Sequence, residues 1–158
     1  MAWVIAPLAD YPQHRELTID WLWRAFGQDT GRRFYGAIVD NGMRRAGLPI
    51  AFIALDDGRP VGTVGLWRCD LLTRQDLTPW LAALYVDEDW RGRGIGKALQ
   101  RFVIAFSRRA GYDQLYLYAT FRGYYEREGW HYLAEGIEYP DKPVFIYHLA
   151  PGGEPSSG

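Results

Sequence analysis

The chain has 158 residues, enough for one domain around one core, and 48% of them are apolar, which excludes a disordered chain. Its formal net charge is −1, so no global field draws it to nucleic acid or to an anionic membrane surface. The one cysteine, Cys69, excludes an internal disulfide and a cysteine-pair metal site, and a reducing, cytoplasmic location is expected from it.

The opening residues carry no basic segment followed by a long apolar run, so no signal peptide is predicted. No apolar run reaches the roughly 18–20 residues of a membrane span. Residues 3–6 read as a short strand. Pro12 suits the first turn of a helix, and Ile19, Leu22, Trp23 and Phe26 follow at the spacing of one helix face until Gly27. A second helix is predicted over about 30–46, with Gly47 after it. Residues 50–55 and 60–67 are apolar runs around Asp56-Asp57-Gly58-Arg59, a hairpin signal. A polar loop, 69–76, precedes 80–86, a continuous apolar run suited to a strand buried on both faces. Ile95, Ala98, Leu99, Phe102 and Phe106 form the next helical stripe, and Gly111 stops it. Leu115, Leu117 and Ala119 alternate with Tyr116, Tyr118 and Thr120, which is strand periodicity. A short helix around 123–128 and strands at about 130–134 and 144–149 complete a mixed α/β sheet with helices on both faces. Residues 1–150 read as a single domain. Residues 151–158, rich in Gly, Pro and Ser, read as a disordered tail.

The segment Leu84-Tyr85-Val86-Asp87-Glu88-Asp89-Trp90-Arg91-Gly92-Arg93-Gly94-Ile95-Gly96-Lys97-Ala98 carries the chemistry. A strand runs through a short loop into a helix whose start is rich in glycine. A helix N-terminus offers unpaired N–H groups and a positive dipole end, and glycines let a phosphate approach that backbone. Arg91 and Arg93 add positive charge. A nucleotide-hydrolase phosphate loop, which would predict magnesium-dependent ATP turnover, fits less well, because Gly92 lies one residue too close to Gly96-Lys97 and Ala98 stands where the magnesium-binding hydroxyl should be. A dinucleotide fingerprint fails on its glycine spacing. The pattern present is Arg91-x-x-Gly94-x-Gly96.

That pattern after a strand resembles the GNAT superfamily of N-acetyltransferases. The later segment Tyr124-Tyr125-Glu126-Arg127-Glu128-Gly129-Trp130 is similar to that family's ending after the next strand. The resemblance is strongest over 79–130. Leu8-Ala9-Asp10-Tyr11-Pro12, Asp76-Leu77-Thr78-Pro79-Trp80-Leu81 and Pro143-Val144 resemble a bacterial branch whose acceptor is unassigned. The resemblance implies a mixed central sheet with two parallel strands splayed at its centre and acetyl-CoA as co-substrate. It implies that the backbone of Leu84, Tyr85 and Val86 pairs with the pantetheine arm. Arg91, Gly92, Arg93, Gly94, Ile95, Gly96 and Lys97 would hold the pyrophosphate, and Thr120 would border the cofactor at the end of the second parallel strand. Tyr125 matches the tyrosine near the thioester sulfur, where a phenol can donate a proton or hydrogen bond to the departing thiolate.

Many members of the family place a glutamate on one of the splayed strands as general base. The equivalent positions here are Trp80 and Tyr118, so the usual carboxylate is missing. Trp67, Trp80, Tyr118 and Asp76 are expected to line the acceptor site, closed by the loop around 27–33. Asp70 and Asp76, in the loop ahead of the strand, are the acids within reach, and proton removal is expected to run through ordered water with no single essential acid. Glu126 is expected on an exposed helix face. His14, His131 and His148 have no metal-ligand spacing, and no metal is expected. The expected partner is a small-molecule or peptide amine, with no nucleic acid and no membrane, and a homodimer is left open. The rival class is a non-catalytic acyl-CoA-binding module.

Overall fold

Apolar periodicity sets the elements, and side-chain contacts set where they stop. The computed structural model describes residues 3–153. Its elements are β1 (Val4–Pro7), α1 (Arg15–Phe26), α2 (Arg32–Asn41), β2 (Ile50–Asp56), β3 (Arg59–Trp67), β4 (Trp80–Val86), α3 (Ile95–Arg109), β5 (Leu115–Ala119), α4 (Tyr124–Arg127), β6 (His131–Glu138) and β7 (Lys142–Leu149). The strands lie in the order β1-β2-β3-β4-β5-β7-β6. β4 and β5 are parallel, with Trp80 opposite Tyr116. The β1–β2, β2–β3, β5–β7 and β6–β7 pairs are antiparallel. This is the mixed α/β sheet expected. No helix among the described residues is long and apolar enough to cross a membrane.

The chain forms two compact units. The first holds the residues up to 66 together with 83–103. Its core gathers Leu8, Ile19, Leu22, Val39, Ile53 and Leu55. Burying one such side chain contributes about 1.5–3 kcal/mol. The buried face of α1 is Thr18, Ile19, Trp21 and Leu22, so Ile19 and Leu22 of the stripe read from spacing are buried and its other two members are not. Trp23 and Phe26 are exposed, and the Trp23 indole N–H donates to the Thr30 carbonyl at 3.0 Å. Trp23 therefore fastens the α1–α2 turn. α2 ends at Asn41, short of the expected 46, because the next residue turns into the sheet. The Gly42 carbonyl accepts from Ala51 N–H at 2.9 Å, and a Cβ on Gly42 would lie 3.0 Å from that nitrogen. α3 buries Ile95, Leu99 and Val103, and its Phe102 meets Phe52 edge to face with centroids 5.0 Å apart.

The second unit holds 67–82 and the residues from 104 onward. Its core gathers Leu71, Trp80, Val144 and Ile146, with Leu77, Tyr116 and Tyr118 packed against it. The β6–β7 hairpin is longer than predicted. Glu135, Gly136 and Glu138 pair with Phe145, Val144 and Lys142, with a register shift between Tyr132 and Ala134. Pro151 is buried, and Gly153 N–H closes a turn on the Ala150 carbonyl at 3.0 Å. The rest of the expected tail, 154–158, lies outside the described residues.

Candidate active site

In the first unit the site is a strand end, a loop and a helix start. Trp80, Leu81 and Ala82 of β4 are buried, but Ala83 through Val86 are half-buried, so the expectation of burial on both faces holds only for the first three. The change falls at Ala83, whose φ of 53° is left-handed. A residue with a Cβ takes that conformation at a cost of about 1–3 kcal/mol, and it breaks the strand's alternation ahead of Leu84, Tyr85 and Val86. Beyond the strand, the Asp87 carboxylate accepts from Asp89 N–H at 3.3 Å and caps a 3₁₀ turn, Glu88–Trp90. Arg91 Nε donates to the Val86 carbonyl at 2.9 Å, and its guanidinium lies 5.2 Å from the Tyr85 ring centre. Arg91 thereby ties the loop to the strand end. The Arg93 guanidinium lies 4.4 Å from the Trp90 ring centre.

The glycines of this loop are required by backbone conformation, and the space over them is open. Gly92 and Gly94 have φ of +80° and +92°. A Cβ on Gly92 would meet nothing within 4 Å, and one on Gly94 would meet only the Trp3 ring at 3.8 Å. The first bond of α3 runs from Ala98 N–H to the Gly94 carbonyl at 3.0 Å. The N–H groups of Gly94, Ile95 and Gly96 precede it and have no partner in the helix. Ile95 is buried, so its amide faces the loop while its side chain belongs to the core; Arg91, Arg93 and Lys97 are exposed. An open, donor-rich start to a helix of 15 residues fits a diphosphate.

In the second unit, Tyr125 sits on α4, a helix of four residues. Glu126 holds that helix in place. Its Oε1 accepts from Gly123 N–H at 2.7 Å, and its Oε2 accepts from the Tyr147 hydroxyl at 2.9 Å and from Arg122 at 3.2 Å. Glu126 is therefore half-buried and structural, contrary to the exposed face expected for it. The Tyr125 ring packs among Tyr124, Tyr147, Phe121 and Trp130, with centroids at 4.8, 5.8, 6.0 and 6.4 Å. Burial, with a smaller contribution from Tyr124, pushes its phenol up to about 12. Tyr125 thus keeps its proton throughout the neutral range. Thr120 is exposed, just past the end of β5.

Strand pairing places a second group of side chains on the opposite face. Tyr118 pairs with Ile146 and Leu117 with Tyr147, so alternation puts Tyr118 and Ile146 on one face and Tyr147, with Tyr125 against it, on the other. On the Tyr118 face, the Trp80 indole N–H donates to the Leu77 carbonyl at 2.6 Å. Its ring lies 5.7 Å from that of Tyr116 and 6.2 Å from that of Tyr118. The Tyr118 hydroxyl donates to Glu138 at 2.7 Å. Burial first, and the neighbouring Glu138 second, raise the Asp70 carboxyl well above the ordinary aspartate range. Asp76 differs. It is exposed and engaged by Arg74 through two contacts of 3.0 Å, and that bond lowers its pKa. Of the two loop acids, Asp70 is the one that feels the charge of Glu138, the partner of the Tyr118 hydroxyl. Glu138 was missed because the strand read from 130 stopped at 134. Its signal was the position of the Pro140-Asp141 turn, from which a returning strand must pair with 135–138.

A mixed sheet with a parallel central pair, one of whose strands feeds a glycine-rich helix start, is the frame that carries the site. The chain matches the acetyltransferase (GNAT) family over residues 15–130 and belongs to that family. Human N-acetyltransferase 8B is 39% identical over 66 residues, a match that spans 42% of this chain and 29% of that protein. An aminoglycoside 6'-N-acetyltransferase solved with coenzyme A is similar over 96% of this chain and 99% of its own, at 18% identity and a TM-score of 0.76. The aminoglycoside 6'-N-acetyltransferase of Enterococcus faecium is similar over 96% and 99%, at 17% identity and a TM-score of 0.74.

Proposed function

We propose that this protein transfers the acetyl group of acetyl-CoA to a primary amine by direct attack of nitrogen on the thioester carbonyl. The observation that carries the reading is the open backbone at Gly92 and Gly94 leading into the start of α3; membership of the GNAT family supports it. The N–H groups of Gly94, Ile95 and Gly96, with Arg93 and Lys97, bind the pyrophosphate. Arg91 shapes the loop, and the backbone of Leu84, Tyr85 and Val86 takes the pantetheine arm. The nitrogen lone pair forms the C–N bond, and the carbonyl π pair moves to oxygen. When that pair returns, the C–S bond breaks and sulfur leaves as thiolate. The Tyr125 hydroxyl hydrogen-bonds the departing sulfur. A phenol held near 12 is a hydrogen-bond donor here and not a full acid. Of the two protons shed by the ammonium nitrogen, one ends on sulfur and the other goes to solvent. The acceptor enters on the Trp80 and Tyr118 face, opposite Tyr125.

The acceptor is a small-molecule or peptide amine. The two aminoglycoside acetyltransferases of similar fold make aminoglycosides one class to test. The experiment is free-thiol release from acetyl-CoA with kanamycin, spermidine and a short peptide bearing a free N-terminus. Amine-dependent release is expected with at least one of them. Calorimetry should show acetyl-CoA affinity lost in Gly94→Val and reduced less in Arg91→Ala, where the amides remain. Wild-type affinity in Gly94→Val would remove the cradle. Acetyl-CoA binding with no amine-dependent release would favour a non-catalytic acyl-CoA-binding module.

A further inference from the structure

Two consecutive residues of β3 touch the strand end, the loop and the helix start of the cofactor segment. In the β2–β3 ladder Ala54 pairs with Gly62, but Leu55 pairs with Pro60, so Val61 is the extra residue of a β-bulge. The Val61 carbonyl accepts from Asp87 N–H at 2.9 Å, where β4 passes into the glycine-rich loop. Gly62 follows, and it is buried. A Cβ there would lie 3.0 Å from the Tyr85 carbonyl oxygen of β4, 3.1 Å from Leu99 Cδ1 and 3.4 Å from Ile95 Cγ2 of α3. The first of these atoms belongs to the backbone and cannot rotate away. The backbone of Gly62 is not left-handed, so glycine is required here by close approach and not by conformation. All these residues lie in the first compact unit.

We propose that Gly62 and the bulge at Val61 set the spacing between the two seats of acetyl-CoA, the β4 backbone that takes the pantetheine arm and the α3 amides that take the diphosphate. Gly62 is a positioning residue: it is buried and acts through Tyr85, Ile95 and Leu99. The inference rests on the cofactor placement in the acetyl-transfer reading. Its physical basis is linkage. Acetyl-CoA is an arm and a nucleotide joined covalently. Seating one half raises the effective concentration of the other only when the two seats lie at the matching separation. A methyl group at position 62 makes its neighbours give by a few tenths of an ångström. That shift changes the separation and leaves each seat built as before. The advantage of linkage falls, while the affinity of the nucleotide half alone does not.

The test is calorimetry of acetyl-CoA, and of ADP, which carries adenosine and diphosphate without the arm. The proteins are wild type, Gly62→Ala and Val103→Ala, with the unfolding midpoint of each measured free of ligand. Gly62→Ala should lose about tenfold or more in acetyl-CoA affinity and stay within about threefold of wild type for ADP. Val103→Ala trims a buried side chain one turn beyond Leu99 in α3. It should lower the midpoint and leave both affinities as in wild type, so lost stability by itself does not reproduce the selective loss. If Gly62→Ala does not fold, Gly62→Ala/Leu99→Ala makes room at the nearest side-chain contact and is compared with Leu99→Ala, with the same selective loss expected. Equal losses for the two ligands, wild-type affinity for both in the variant, or the same selective loss in Val103→Ala would overturn the proposal. So would a wild type that binds acetyl-CoA but not ADP, because the diphosphate seat would then not stand alone. If wild type binds neither ligand, the cofactor placement itself fails; if it binds both and Gly62→Ala binds both as tightly, only the spacing role fails.

Discussion

Burial holds the Tyr125 phenol near 12, so it keeps its proton at neutral pH, and on the proposed mechanism its loss removes a donor to the departing sulfur. Tyr125→Phe should lower kcat by up to about 10²-fold, the scale of a hydrogen bond to a charged group, and leave acetyl-CoA affinity nearly unchanged. Tyr124→Phe should be mild, and equal effects would mean that the roles are misassigned. Because deprotonation of Tyr125 lies near 12, any alkaline fall in kcat/KM below pH 10 belongs to another group, and Tyr125→Phe should leave its midpoint in place. The strand, loop and helix around Arg91, Gly94 and Gly96 were legible in the sequence because a short spacing marks one local strand-loop-helix unit. Glu138 and Glu126 were not. The role of Glu138 depends on Tyr118, and that of Glu126 on Tyr147; these partners are about twenty residues away and no local pattern couples them.

A helix of four residues has too few internal bonds to persist alone, so α4 depends on the contacts of Glu126. Burial works to raise the Glu126 carboxyl, but hydrogen bonds from its own backbone, the Tyr147 hydroxyl, Gly123 N–H and Arg122 outweigh it, and its pKa is lowered. The stability this supplies is present above the ordinary glutamate value of 4.5 and is lost as pH falls through the lowered one. Denaturant titration of Glu126→Gln against pH should show a flatter acid-side loss than wild type. Glu126→Ala removes the acceptor of these hydrogen bonds, so it should lower the midpoint of denaturant unfolding. It should also lower kcat more than it raises KM for acetyl-CoA, because it loosens the helix that carries Tyr125. The type of each longer element was legible from period. The ends were not, because they are set by tertiary contacts: Gly42 against Ala51 stops α2, and the β7 partners carry β6 on to Glu138.

For the molecule as a whole, a ligand that binds only the folded chain stabilises it by mass action, by about 2.7 kcal/mol at a hundredfold excess over Kd. Acetyl-CoA at that excess should raise Tm by roughly 5–10 °C for a chain of this size, and Gly94→Val should abolish the rise. A mixed α/β sheet followed from the alternation of periods along the chain. The strand order did not, since β7 lies between β5 and β6 and reverses their sequence order; periodicity says nothing about which strands become neighbours. The central claim is that the acetyl group moves from sulfur to nitrogen on this protein. The most direct measurement supplies acetyl-CoA labelled in its acetyl group with each amine of the panel, and counts labelled amide against free thiol in wild type and Tyr125→Phe. The account predicts one labelled amide per thiol with at least one amine, and a rate lower in the variant by up to about 10²-fold. Thiol released without labelled amide, or no amine-dependent thiol at all from a protein that binds acetyl-CoA, would contradict it.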